Sequence, residues 1–170
     1  MPSIQNNLER RLASVTNPWQ KRSLEMLLGP VVDGSVTLNL VSGGLAIKAG
    51  GGVLVKTVAA TYTIVDGVLL SVAAADMPAL TGFNVAAGKY GVCMFVVDQF
   101  GTVSNIYSDG NAASLGTIQF PSIPTGKACI GFIIVTYASA FTGGTTALDT
   151  ATTVYVNVTE SFNPGLINSL

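Results

Sequence analysis

The side chains that carry chemistry are thinly spread along this chain. There is no histidine, which removes the commonest general base, most zinc sites and every Ser-His or Cys-His nucleophile pair. The two cysteines, Cys93 and Cys129, stand far apart, each inside an apolar run. Buried free thiols are the expectation, and a disulfide between the two runs is the alternative. Asp66, Asp98 and Asp109 each sit beside Gly or open a turn, the place of a turn former rather than of one half of an acid-base pair. The stretch Ser42-Gly-Gly-Leu-Ala-Ile-Lys-Ala-Gly-Gly-Gly52 is glycine-rich, but it lacks the Gly-Lys-Ser/Thr ending and the following helix of a phosphate loop, and it reads as a hairpin tip. Tyr62, Tyr90, Tyr107 and Tyr155 are residues that a sugar-binding groove would use, yet packing in a core or an interface is the expected role of each. No catalytic residue, metal ligand or cofactor is assigned, and the chain is not read as an enzyme.

The elements that position these residues are strands. Residues 90–97, Tyr90-Gly-Val-Cys-Met-Phe-Val-Val97, run into Asp98-Gln-Phe-Gly101, with Asp first and Gly last as a hairpin turn favours, and residues 102–107 return as the partner strand. Residues 128–137, Ala128-Cys-Ile-Gly-Phe-Ile-Ile-Val-Thr-Tyr137, are too continuously apolar for a one-faced strand and too β-branched for a helix. They are predicted as a strand covered on both faces, at the core of the domain. The segment Phe141-Thr-Gly-Gly-Thr-Thr-Ala-Leu148 closes this region.

From Val31 onward the period is two. Asp33-Gly34, Gly43-Gly44, residues 50–52, Asp66-Gly67 and Asp109-Gly110 punctuate short Val-, Ile-, Leu- and Thr-rich pieces, the pattern of an all-β sandwich or barrel. Strands are predicted over residues 36–41, 45–48, 53–56, 60–65, 68–72 and 154–158, with Asp66-Gly67 the strongest hairpin signal. Residues 73–80 read as a loop or a single helical turn. The apolar but turn-rich end, residues 162–170, suits a tail laid on a neighbour.

Residues 1–29 follow a different period. Ile4, Leu8, Leu12 and Val15 form one helical stripe, with Glu9, Arg10 and Arg11 off it. Asn17-Pro18 breaks and restarts the helix, bringing in Trp19, and Gly29-Pro30 stops it. We expect a helical arm that packs on its own domain or on a partner; a coiled coil is the alternative. Ile4, Leu8, Leu12, Val15 and Trp19 are its candidate partner-binding residues. The division is a helical attachment arm over 1–29 and a β-rich domain over 30–170.

Composition narrows the partners. Only 10% of the 170 residues are charged, while 49% are hydrophobic and the mean hydropathy is +0.54, against about 25% charged in an average soluble domain. Something other than water is expected to cover part of this surface. No apolar run approaches the roughly 20 residues of a spanning helix, and the first 28 residues hold six charges with no uninterrupted apolar stretch of a secretory signal. Neither membrane nor nucleic acid is expected as a partner, since the net charge of −1 offers no basic face. Folding in a cytoplasm is expected, which leaves the sequon Asn157-Val-Thr159 without a role. Residues 1–29 carry four basic and two acidic side chains, net +2, and the rest four and seven, net −3. Protein is the remaining cover, as copies of this chain or a larger partner.

The ordered series Ala60-Thr-Tyr-Thr-Ile-Val-Asp-Gly67, Ala87-Gly-Lys-Tyr90, Phe100-Gly-Thr-Val103, Ile123-Pro124, Ala128-Cys-Ile-Gly-Phe-Ile-Ile-Val135 and Phe141-Thr-Gly-Gly-Thr-Thr-Ala-Leu-Asp149 resembles tailed-bacteriophage virion proteins of the head-fibre, capsid-decoration and tail-associated kinds. The likeness covers roughly residues 44–158. It implies an N-terminal attachment segment and a projecting β-rich body. The expectation is an all-β protein, an antiparallel β-sandwich or jelly-roll-like domain preceded by a short helical N-terminal arm. It would act as a virion structural protein that forms a homo-oligomer, a trimer for preference, and binds the major capsid protein or another virion protein on the outer capsid surface. The alternative is a receptor- or glycan-binding module at a tail or fibre.

Overall fold

The computed structural model describes residues 36–159. Its strands are β1 (Leu38–Val41), β2 (Leu45–Ile47), β3 (Val55–Thr57), β4 (Thr61–Val65), β5 (Val68–Val72), β6 (Asn84–Val85), β7 (Tyr90–Asp98), β8 (Val103–Tyr107), β9 (Lys127–Thr136), β10 (Phe141–Thr142) and β11 (Thr152–Asn157), with one 3-10 turn at Leu115–Thr117. The described chain is all-β and every strand pairing is antiparallel. The helical arm expected over residues 1–29 and the tail 162–170 lie outside the described residues.

The two apolar runs form the centre. β7 and β9 are neighbours in a four-stranded sheet of order β11-β9-β7-β8, and both are buried along nearly their whole length. Alternation along β7 sends Cys93, Phe95 and Val97 to one face and Val92, Met94 and Val96 to the other. The first face packs against Leu45, Val55, Val65, Met77, Leu80, Phe83 and Phe141, contributed by the smaller sheets β1-β4-β5, β2-β3 and β6-β10 and their connections. The second is covered by a connection rather than a sheet: Ile118, Phe120 and Ile123, with Val158, lie over Met94, Cys129 and Phe132. Phe120 meets Phe132 edge to face at 5.2 Å between ring centroids, a favoured aromatic geometry. The sheet is thus sealed on both sides, which is why its central strands lack the polar half of a one-faced strand.

A bulge in β9 sets which side chains reach which face. Phe95 pairs with Gly131 and Val96 with Cys129, so Ile130 is the extra residue. Before the bulge Ala128 and Ile130 face the first cluster; after it Ile133 and Val135 do, a change of parity. Gly131 sits where a Cβ would lie 2.6 Å from Leu45 Cδ1 and 2.9 Å from the Val156 carbonyl oxygen, so no larger residue fits without displacement.

Three predicted hairpin tips are present, one of them Asp98–Gly101 between β7 and β8. Residues 48–54 join β2 to β3, closed by Lys48 N–H donating to Leu54 O at 2.9 Å. Asp66 and Gly67, with φ of 48° and 76°, form the tight turn between β4 and β5, the primed type that matches strand twist. Residues 73–80 contain no helix; Thr57 N–H donates to Ala75 O and Met77 N–H to Val55 O, so the segment runs extended beside β3. The closing segment after β10 is tied down at several points. Gly143 N–H donates to Phe83 O, Leu148 N–H to Gly52 O and Gly51 N–H to the Asp149 carboxylate at 2.6 Å. Among the described residues no helix is long and apolar enough to cross a membrane.

Candidate functional site

The β1-β4 half of the sheet β1-β4-β5 is built inside out. In Thr61-Tyr-Thr-Ile-Val65 the buried positions are Thr61, Thr63 and Val65, while Tyr62 is exposed and Ile64 half-buried. The inward hydroxyls are used: Thr61 Oγ1 accepts from Gly43 N–H at 3.0 Å and Thr63 Oγ1 donates to Leu38 O at 2.9 Å. A buried hydroxyl is tolerated when it is hydrogen-bonded in this way. The apolar half of the strand therefore faces outward. Register places Leu38 and Leu69 on either side of Ile64, and Val41 and Ser71 on either side of Tyr62. A shift in register after Asn39 leaves Leu40 as an extra residue, and Leu40 and Val41 are both exposed. The result is a contiguous outward apolar face of Leu38, Leu40, Val41, Tyr62, Ile64 and Leu69.

Behind this face, β1 is pinned to the residue that follows β11. Buried Asn39 donates through Nδ2 to the Val158 carbonyl, and its Oδ1 has no partner among the described residues. Another exposed apolar residue stands at the β7-β8 tip. Asp98 Oδ1 accepts from Phe100 N–H at 2.9 Å and from Thr102 N–H at 3.0 Å, fixing a turn on which Phe100 is 82% exposed.

Three more of the described carboxylates are bonded within the fold. Asp109 Oδ1 accepts from Asn111 N–H, Asp66 Oδ1 from Thr37 Oγ1, and Asp76 pairs with Lys48 at 2.5 Å. No three His, Cys, Asp or Glu side chains come together among the described residues. Cys93 and Cys129 are free and buried on opposite faces of the central sheet, and burial pushes each thiol up to about 12. Of the four tyrosines weighed for a sugar-binding groove, Tyr107 packs on Phe83 at 5.9 Å, Tyr90 and Tyr155 pack against the two cores, and Tyr62 stands on the outward apolar face. Burial, and then the nearby Asp149 carboxylate, raise the Tyr155 hydroxyl above its ordinary value. A shallow cleft of about 350 Å³ lies over Gly88, Thr136, Tyr137, Ala138, Thr150 and Thr152, with no charged side chain in its lining.

The arm residues Ile4, Leu8, Leu12, Val15 and Trp19 fall outside the described residues, so the structure neither brings them together nor separates them. The outward face was missed in the sequence because an alternating run does not state its phase, and apolar-in is the ordinary choice. The only signal was pairwise: two threonines alternating with Tyr62 and Ile64 in a strand whose partner, β5, is almost wholly apolar.

Compared with known proteins, the chain matches no family model, no curated protein and no solved structure.

Proposed function

We propose that the chain is a virion structural protein of a tailed bacteriophage, a capsid-decoration or head-fibre protein that self-associates and binds the outer face of the particle. The observation that carries the assembly half of this reading is the inverted sheet β1-β4-β5, with bonded threonines inside and Leu40, Val41, Tyr62 and Leu69 outside. A contiguous apolar face on a chain with few charges marks a protein-protein surface. The virion half rests on the resemblance described above, whose segments form strands, hairpin tips and the pinned closing segment of the body. The β-domain is read as a two-layer sandwich, with the small sheets packed on one face of the four-stranded one.

Residues 1–29 act as the attachment arm, through Ile4, Leu8, Leu12, Val15 and Trp19. The major capsid protein or another virion protein is the partner, and the net +2 of the arm favours an acidic docking surface. Many modest contacts repeated over a lattice give firm attachment by avidity. A receptor- or glycan-binding module at a tail or fibre tip is the second reading. Its best support is exposed Tyr62, but Val41 and Ser71 flank Tyr62 rather than the Asn, Asp and Gln that bond sugar hydroxyls, so packing is favoured.

The test is co-sedimentation of the full-length chain with purified particles. Replacing Leu8 and Leu12 with Asp should abolish binding and leave thermal unfolding of the β-domain nearly unchanged. Unchanged binding would refute the attachment role. If the arm caps its own domain instead, the same substitutions would cost about 2–5 kcal/mol for each buried Leu.

A further inference from the structure

The inverted sheet also ends in an open strand. Among the described residues β5 pairs with β4 alone. The two-residue turn makes Val65 and Val68 a hydrogen-bonded pair, so Thr63 with Leu70 and Thr61 with Val72 are the next such pairs. Leu69 and Ser71 must then direct their N–H and C=O groups away from β4, toward the open side. Natural edge strands are guarded by Lys, Pro, bulges or a covering element. The sequence Val68-Leu-Leu-Ser-Val72 has no charge and no proline, its ladder to β4 has no shift, and Val68, Leu69 and Ser71 are exposed.

We infer that β5 is a self-pairing edge: two copies of the chain join their β1-β4-β5 sheets through an antiparallel β5-β5 contact. This deepens the oligomeric reading above and rests on it. The occupant is a second copy because the strand is complementary to itself. A two-fold axis through Leu70 sets Leu69 opposite Ser71 of the other copy, so both pairs exchange N–H and C=O bonds and all four outward groups on each strand are satisfied. The same axis sets Leu70 against Leu70 and Val68 against Val72. Those side chains lie on the inner face, where Leu70 and Val72 already pack on the core, so the apolar layer continues from one copy into the next.

Charge agrees with this choice. No charged residue lies in the paired strands, and Asp66 at the hairpin tip falls opposite Ala74 of the other copy, so no like charges meet. Five residues of edge give less than the ~800 Å² per partner of a standard interface, so the contact acts together with the outward face. A two-fold contact gives an even copy number, a dimer or, where three-fold contacts also form, a dimer of trimers.

The experiment compares the full chain with three variants by sedimentation velocity over a micromolar concentration series. Ser71→Pro removes an outward N–H without touching the ladder to β4, and Leu69→Lys adds the charge that guards natural edges. Both should halve the assembled mass or weaken association at least tenfold, with unchanged circular dichroism. Leu70→Cys places two thiols across the axis, where non-hydrogen-bonded partners have Cα atoms about 4.5 Å apart, within disulfide range. Mild oxidation should give a cross-linked dimer on a non-reducing gel. An assembled wild type whose mass neither Ser71→Pro nor Leu69→Lys changes, with no Leu70→Cys cross-link, overturns the β5 contact and leaves the oligomeric reading standing. A wild type that is monomeric throughout overturns both.

Discussion

Cys93 and Cys129 illustrate how burial alone disposes of a reactive group. Each thiol would titrate near 9 in an unfolded chain and is pushed up to about 12 by loss of water. The sign follows from proton counting: between these values the folded state keeps a proton that the unfolded state releases, so stability is complete below about pH 9 and declines as pH rises toward 12. Urea midpoints measured across that range should fall, and a Cys93→Ala/Cys129→Ala variant should show a shallower decline. In native protein at pH 8 a thiol reagent should react slowly, and rapidly once urea is added. Glycines give a second test at this scale. A Cβ on Gly143 would overlap the carbonyl oxygens of Leu80 and Phe83, whereas one on Gly116 meets nothing within 4 Å. Gly143→Ala should destabilise by about 1–3 kcal/mol or more, as overpacking does, and Gly116→Ala should stay within about 0.5 kcal/mol of wild type. Denaturant unfolding distinguishes them.

The strands β5, β7 and β9 were legible from apolar runs and flanking turn residues, and the Asp66-Gly67 hairpin came from its dipeptide alone. Cover on both faces of β9 was legible too, from the missing polar half of its alternation. The identity of the second cover was not. Ile118, Phe120 and Ile123 lie in a connection with no strand period, and only the tertiary fold sets them on Met94 and Phe132. Short β6 and β10 were illegible because two residues carry no period, and their pairing joins positions remote in sequence. The phase of β4 escaped for another reason: buried Thr61 and Thr63 are favourable only because Gly43 N–H and Leu38 O are there to bond them. Phe132→Ala should cost about 3–5 kcal/mol, the range for a buried aromatic; a loss below 1 kcal/mol in urea titration would mean that the connection over residues 118–123 does not seal this face.

For the whole molecule, the sequence composition and the outward sheet face both support the proposed self-association. A tenth of the residues are charged, well below the usual share of about a quarter, and the fold places several exposed apolar side chains together on one sheet. The expected arm and the candidate residues on it belong to the 35 residues before the described chain, so attachment is addressed by binding experiments rather than by geometry. Self-association is the claim on which the rest depends, and the most direct measurement is the solution mass of the full-length chain by light scattering at micromolar concentration. A self-associating chain gives a multiple of 17.4 kDa; a stable, well-behaved 17.4 kDa monomer across the concentration range would rule self-association out.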